Sequence, residues 1–343
     1  MARQPAESEL PPDEAAPLDE ADLWFLPGPP EEDADLMPAL PRAVPDEASV
    51  VALWRLAEAG SAAALARLGA LDDRLRRGPD GWRHRLALIV AAELGWIARA
   101  RITPDRLAQW TALRSGNLEE DGAALAKLGW ALRRLSGGPG PEADLAGFLG
   151  RQEVAAVGRA PLGDRIAGWS EMMALSADLH PISRACLGFH LWPMAGIGPE
   201  GERLEAAITA GRIAAGDCRG GAIFVPLAIA GEVGLRAGSD AARRLALWFD
   251  GIAAALNAAM RLLDQLEDWQ GGAMAATRDL SGRTLGRLVE PLISWPTLSA
   301  PMAEANTGAS RAAVQRNLTL MQARGLIREV TGQGRFRLWC CRL

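Results

Sequence analysis

The 343-residue chain has no tyrosine, a single lysine (Lys127), three histidines and four cysteines. Each shortage removes a class of chemistry. With thirty-six arginines against one lysine, any contact to phosphate must come from guanidinium groups. Cys186, Cys218, Cys340 and Cys341 lack the spacing of a metal site, and the adjacent Cys340 and Cys341 are poorly placed for a structural disulfide. His84, His180 and His190 form no ligand motif, so no metal is expected. No glycine-rich loop ends in Lys-Ser or Lys-Thr. The nearest run, Gly216–Gly221, carries Asp217, Cys218 and Arg219 instead. The patterns GxSxG, HExxH and CxxC are missing too. The chain is therefore not expected to be an enzyme or to hold a cofactor.

β-branched residues are few and aromatics make up 5%, while Ala and Leu dominate, which points to a helical body. A hydrophobic content of 49% is enough for a substantial core, and the length suits two or three domains. No apolar run is expected to reach membrane-spanning length. The longest, around Leu86–Val90, meets Glu93 and is flanked by Arg83, Arg85 and Arg99. The N-terminus is acidic and proline-rich, unlike a signal peptide. A reducing cytoplasm is the expected compartment. The preference for Arg over Lys is that of a GC-rich bacterial genome.

Residues 1–47 are rich in Pro, Asp and Glu without period and should be largely disordered, apart from an apolar island at Leu23–Pro27. A first helical subdomain is expected over 48–136. Its helices cover Val50–Ala59, Ala62–Arg76, Trp82–Arg99, a segment opened by the start signal Thr103-Pro104-Asp105, and Glu119–Leu135. The run Ser136–Pro141 reads as a linker. A second helical subdomain follows over 142–280, with helices at Asp164–Leu179, Ile182–Trp192 and Glu202–Ala215, a short one from Pro226, and a long one over Ala241–Trp269. Leu245, Trp248, Ile252, Leu256 and Leu263 make one stripe along the last. The long apolar helices predict a homodimer. Asp264, Glu267 and Asp268 are three acids in five residues. They could do acid–base work, but a solvated helix end explains them more simply.

The densest pattern lies at the C-terminus. Ser299 can cap a helix over Ala300–Ala305, with Pro301 in its first turn. Asn306–Ala309 breaks it at Gly308. Ser310 caps a longer helix that ends near Arg324-Gly325. Along it Val314, Leu318 and Met321 form an apolar stripe, opposite Arg311, Gln315, Arg316 and Thr319. Those four are residue types that reach phosphates and base edges. Leu326–Val330 reads as a strand, Thr331–Gly334 as a hairpin tip and Arg335–Trp339 as a return strand. Alternation puts Arg335 and Arg337 on one face of it and Phe336 and Leu338 on the other. The fold class is thus mainly α: a multi-helical body with a winged helix-turn-helix over 281–343 carrying a small β-hairpin. Residues 281–343 hold nine Arg and three Glu, about +6, while residues 1–48 sum to −11. At −5 overall, the basic charge is concentrated in the C-terminal module, as duplex DNA requires.

The closing run LIREVTGQGRFRLW (Leu326–Trp339) resembles the C-terminal end of a rhizobial and wider alphaproteobacterial family. Its members have a helical domain without an assigned function followed by a helix-turn-helix. IARARITPDRLAQWTALR (Ile97–Arg114) and LHPISRACLGFHLWPMAG (Leu179–Gly196) resemble further segments of it. A more distant likeness is to Fic-domain proteins, which often append a winged helix to an all-α body. Their His-Pro is followed by an acid, Gly, Asn, Gly and Arg. Here His180-Pro181 is followed by Ile182–Cys186, so a Fic-like scaffold would lack its anion-binding loop and be catalytically dead.

These features predict a DNA-binding transcriptional regulator. The body would serve dimerisation or sensing, and Ser310, Arg311, Gln315, Arg316, Thr319, Arg335 and Arg337 would meet double-stranded DNA. The competing readings are an adaptor that uses the winged helix as a packing module, and an enzyme with an unrecognised site.

Overall fold

The computed structural model describes residues 47–58, 62–113, 121–151, 159–198, 202–236, 240–278, 283–332 and 336–343. The expectations for the tail over 1–46 and for Arg335 lie outside them.

Five helices form the first half of the body: α1 (Glu47–Ala57), α2 (Ala62–Arg77), α3 (Gly81–Glu93), α4 (Pro104–Leu113) and α5 (Gly122–Ser136). The Thr103 hydroxyl accepts from Arg106 N at 3.2 Å, so the start signal of α4 caps as its sequence implies. The expected Trp82–Arg99 helix stops early. At Gly95 a β-carbon would lie 2.5 Å from the Ala100 carbonyl oxygen, and the chain tightens into a 3-10 turn over Leu94–Trp96.

The second half comprises α6 (Leu145–Leu149), α7 (Leu162–Leu175), α8 (Pro181–Ala195), α9 (Leu204–Ala214) and α10 (Ala241–Ala276). His180 caps α8, its Nδ1 accepting from Ile182 N at 3.1 Å, and Asp240 caps α10 through Arg243 N at 2.8 Å. The short helix expected from Pro226 does not form. Single turns closed by Ile229 N on the Pro226 carbonyl and Gly231 N on the Ala228 carbonyl take its place, followed by a 3-10 turn over Val233–Leu235 whose Gly234 packs backbone to backbone against Gly251 of α10. α10 is long and apolar enough to cross a bilayer, contrary to the expectation that no stretch is. Here Leu245, Trp248, Ile252, Leu256 and Leu263 lie in the core, and Arg74 of α2 pairs with its Asp264 and Glu267 at 2.6 and 3.0 Å. Two of the three clustered acids are therefore partners in an inter-helix ion pair.

The run Ser136–Pro141 does not divide the core. Helices on both sides of it contribute to one continuous set of buried side chains within the unit 45–343. Arg212 of α9 donates to the carbonyls of Arg134, Gly137 and Gly138 and so fixes the turn to the second half. The Gly216–Gly221 segment is also structural. Its backbone N–H groups at Arg219 and Gly221, with that of Ala222, converge on the buried Asp72 carboxylate at 2.8–3.0 Å. The anion held by this nest belongs to the chain itself.

The C-terminal module runs α11 (Arg283–Ser294), β1 (Leu298–Ser299), α12 (Ala300–Thr307), α13 (Arg311–Ala323), β2 (Ile327–Glu329) and β3 (Leu338–Cys341). The sheet is antiparallel in the order β1-β3-β2, with Leu298 opposite Trp339 and Ile327 opposite Cys341. The hairpin was legible in sequence, whereas the two-residue β1 was not. The return strand begins at Leu338, three residues later than expected, because Phe336 has φ 57° and leaves the pleat. Phe336 is 75% exposed, not on a buried face. Leu338, Trp339, Cys340 and Cys341 are all buried, as in a strand covered on both sides.

The module is seated on the body at several points. A β-carbon on Gly81 of α3 would fall 1.7 Å from the Ser294 carbonyl oxygen, so the two backbones touch. Trp269 Nε1 of α10 donates to the Leu326 carbonyl at 2.8 Å, and Arg328 of β2 pairs with Asp105 of α4 at 2.6 Å.

Candidate nucleic-acid interface

The interface is built on α12 and α13. The Ser299 hydroxyl accepts from Met302 N at 3.3 Å and starts α12. Gly308, at φ 65°, ends it with a left-handed residue that turns the chain within three positions. The Ser310 hydroxyl then accepts from Ala313 N at 3.4 Å and starts α13. Ser310 therefore acts as a cap. Its hydroxyl oxygen accepts the cap bond and keeps its O–H donor, beside the open backbone N–H groups of the helix N-terminus.

Along α13 the sequence sorts the faces. Val314, Leu318 and Met321 are fully buried. Arg311, Gln315, Arg316 and Thr319 are exposed on the opposite side, as the 3.6-residue period dictates. Arg311 is 71% exposed and lies 3.9 Å from Glu304 of α12, a long pair that leaves its guanidinium facing solvent. Gln315, Arg316 and Thr319 present their polar ends outward. These four side chains occupy one helical face, and an α-helix is an element that a major groove admits.

Arg337 departs from its expected role. It pairs with Glu329 at 2.9 Å, donates to Gln322 Oε1 at 3.3 Å and lies over the Trp339 ring at 5.0 Å. It ties the wing to the end of α13 and is not a free cation for phosphate. The strand shift at Phe336 is the reason: Arg337 lands beside Glu329, across the ladder from Trp339. The sequence carried this signal in the acid at 329, which no alternation argument used. What the wing does present is Phe336.

Between α13 and the wing runs a cleft of 590 Å³. Arg311 and Gln315 form one side, Phe336 and Arg337 another, and the start of α12 at Ser299–Met302 its floor. Ala112, on α4, closes one end, so the body contributes a wall that the sequence did not reveal. A groove edged by a helix N-terminus and guanidinium groups suits an anionic strand.

A family model described as an HTH DNA binding domain matches residues 285–341, the span from α11 through β3. No curated protein matches the chain. The C-terminal module is a helix-turn-helix DNA-binding domain on a mostly helical chain.

Proposed function

We propose that this protein is a sequence-specific DNA-binding transcriptional regulator, its winged helix reading an operator and its helical body serving dimerisation or sensing. One observation carries the reading. The polar face of α13, with Arg311, Gln315, Arg316 and Thr319, stands exposed opposite a stripe that is entirely consumed by the core. Arg favours guanine and Gln adenine at such a face. A single winged helix buries little surface on DNA, so specific affinity calls for two half-sites about one helical turn apart and hence two copies of the chain.

The test is binding of the full chain to genomic fragments over a salt series. Affinity should fall steeply with salt as phosphates release counterions. Absence of binding at low salt would overturn the proposal. Light scattering reports the dimer separately, and a 36.4 kDa monomer both free and on DNA would remove that part. The adaptor reading draws on the in-module acid partner of Arg337. A salt slope near zero would favour it.

A further inference from the structure

The turn after α3 places an arginine where glycine is the usual residue. Arg99 N donates to the Trp96 carbonyl at 3.1 Å and Ala100 N to the Gly95 carbonyl at 2.8 Å. These are the nested bonds of a Schellman motif, whose penultimate residue is left-handed. Arg99 fills that position at φ 55°. A β-carbon is disfavoured there, so the backbone gains nothing from the choice of residue. What the position supplies is an arginine side chain at the edge of a pocket.

The pocket, of 350 Å³, is lined by Trp96, Ile97, Arg99, Phe189, Arg203 and Leu235. Its floor is apolar, since Ile97, Phe189 and Leu235 are buried, while the Trp96 indole stands 42% exposed at the rim. The acid at the rim, Glu232, is taken by Arg236 at 3.0 Å. Among the described residues no ion pair joins Arg99 or Arg203 to an acid. Arg203 lies over the Phe189 ring instead, 5.6 Å from its centroid. Burial first, then Arg244 and Arg203, bring the His190 pKa down to about 4.

We infer that this pocket is a binding site for a small aromatic carboxylate, its ring against the Trp96 indole and the apolar floor and its carboxylate between Arg99 and Arg203. Guanidinium groups match a carboxylate in plane and in spacing. A volume at the low end of small-molecule pockets leaves room for one ring. A compact, strongly hydrated anion such as phosphate would leave the floor uncovered. The site lies in the body, and its occupancy is measured without DNA, so its failure is separate from that of the DNA-binding reading.

Calorimetric titration of the full chain with benzoate, and in parallel with inorganic phosphate, tests the inference. Benzoate should bind at least about tenfold more tightly than phosphate. Arg99→Gly restores the residue that the turn prefers, so it should fold with an unchanged or raised Tm while losing about tenfold or more in benzoate affinity. Arg203→Ala should lose as much. Three results would each overturn the assignment: no binding of benzoate at millimolar concentration, equal binding of phosphate, or benzoate affinity unchanged in Arg99→Gly. Should Arg203→Ala not fold, the glycine variant decides alone.

Discussion

The Arg85 guanidinium, buried in the core, donates to the Leu292 carbonyl at 3.0 Å. It also reaches the carbonyls of Ile293 and Trp295. Leu292 and Ile293 end α11 and Trp295 follows it, where carbonyls lack helical partners and carry the negative end of the helix dipole. Burial lowers the Arg85 pKa, which measures what the core charges for holding the cation. Arg85→Ala should cost about 3 kcal/mol, from bared carbonyls plus a cavity. Arg85→Met should cost less, because it removes the desolvated charge and keeps the volume. Urea denaturation ranks the three proteins, and equal stability of wild type and Arg85→Ala would show the cap to be inert.

Replacing Arg316 with Ala should cost about 1–3 kcal/mol on a preferred DNA site and relax the sequence preference there. Arg337→Ala should behave differently. It breaks the tie between wing and α13, so Tm should drop and all DNA sequences should be bound less well. Competition binding with specific and mixed-sequence duplexes separates the two patterns. An Arg316→Ala protein that keeps both affinity and preference would mean that α13 does not read bases.

Arg335→Ala should weaken all duplexes alike and lower the salt slope by about 1, as expected for loss of a single phosphate contact. A change in sequence preference without a change in slope would show a base contact instead.

His190 sits beside Trp54 and Phe189, and among the described residues its Nε2 has no hydrogen-bond partner. Its folded-state pKa of about 4 lies below its ordinary value of 6.5. Between those values the unfolded chain holds the extra proton, so stability rises with pH. The contribution of the neutral ring is complete above about pH 6.5 and is lost as pH falls toward 4. His84, lowered by burial, acts in the same direction. The difference in stability between wild type and His190→Gln should therefore change across pH 4 to 6.5. A constant difference over that window would refute the assignment.

Burial raises the thiol pKa of Cys340 to about 11 and of Cys218 to about 12, and pushes that of Cys186 well up. A disulfide-exchange reagent at neutral pH should therefore label the native protein slowly and the unfolded protein fast. Prompt labelling of more than one thiol in the native state would contradict the packing of β3 and α8.

Periodicity and caps made most of this fold legible. Ser299, Ser310 and Thr103 each start a helix where their side chains suggested. The stripe Val314, Leu318 and Met321 fixed the polar face of α13 with no further information. What failed depended on contacts distant in sequence. The Pro226 segment has helical composition but is held at its start by Val225 N on the Gly211 carbonyl of α9. Ser136–Pro141 reads as a linker until Arg212 is seen bonding its carbonyls. Leu298–Ser299 is too short to announce itself and becomes a strand only because Trp339 lies opposite. Arg337 looked like a wing cation because alternation says nothing about which acid stands across the ladder.

Gly81 against Ser294, Arg85 under α11 and Trp269 on Leu326 join reader and body in one network of packing and hydrogen bonds. The two should consequently melt together. A ligand that binds the folded body then raises the unfolding temperature of the helix-turn-helix by mass action, with no movement required of either. Conversely, DNA held by α13 protects helices that never touch it. In such a chain the number of molecules competent to bind DNA at a given temperature is set by the stability of the whole, and a weakening substitution far from α13 is felt as a loss of binding.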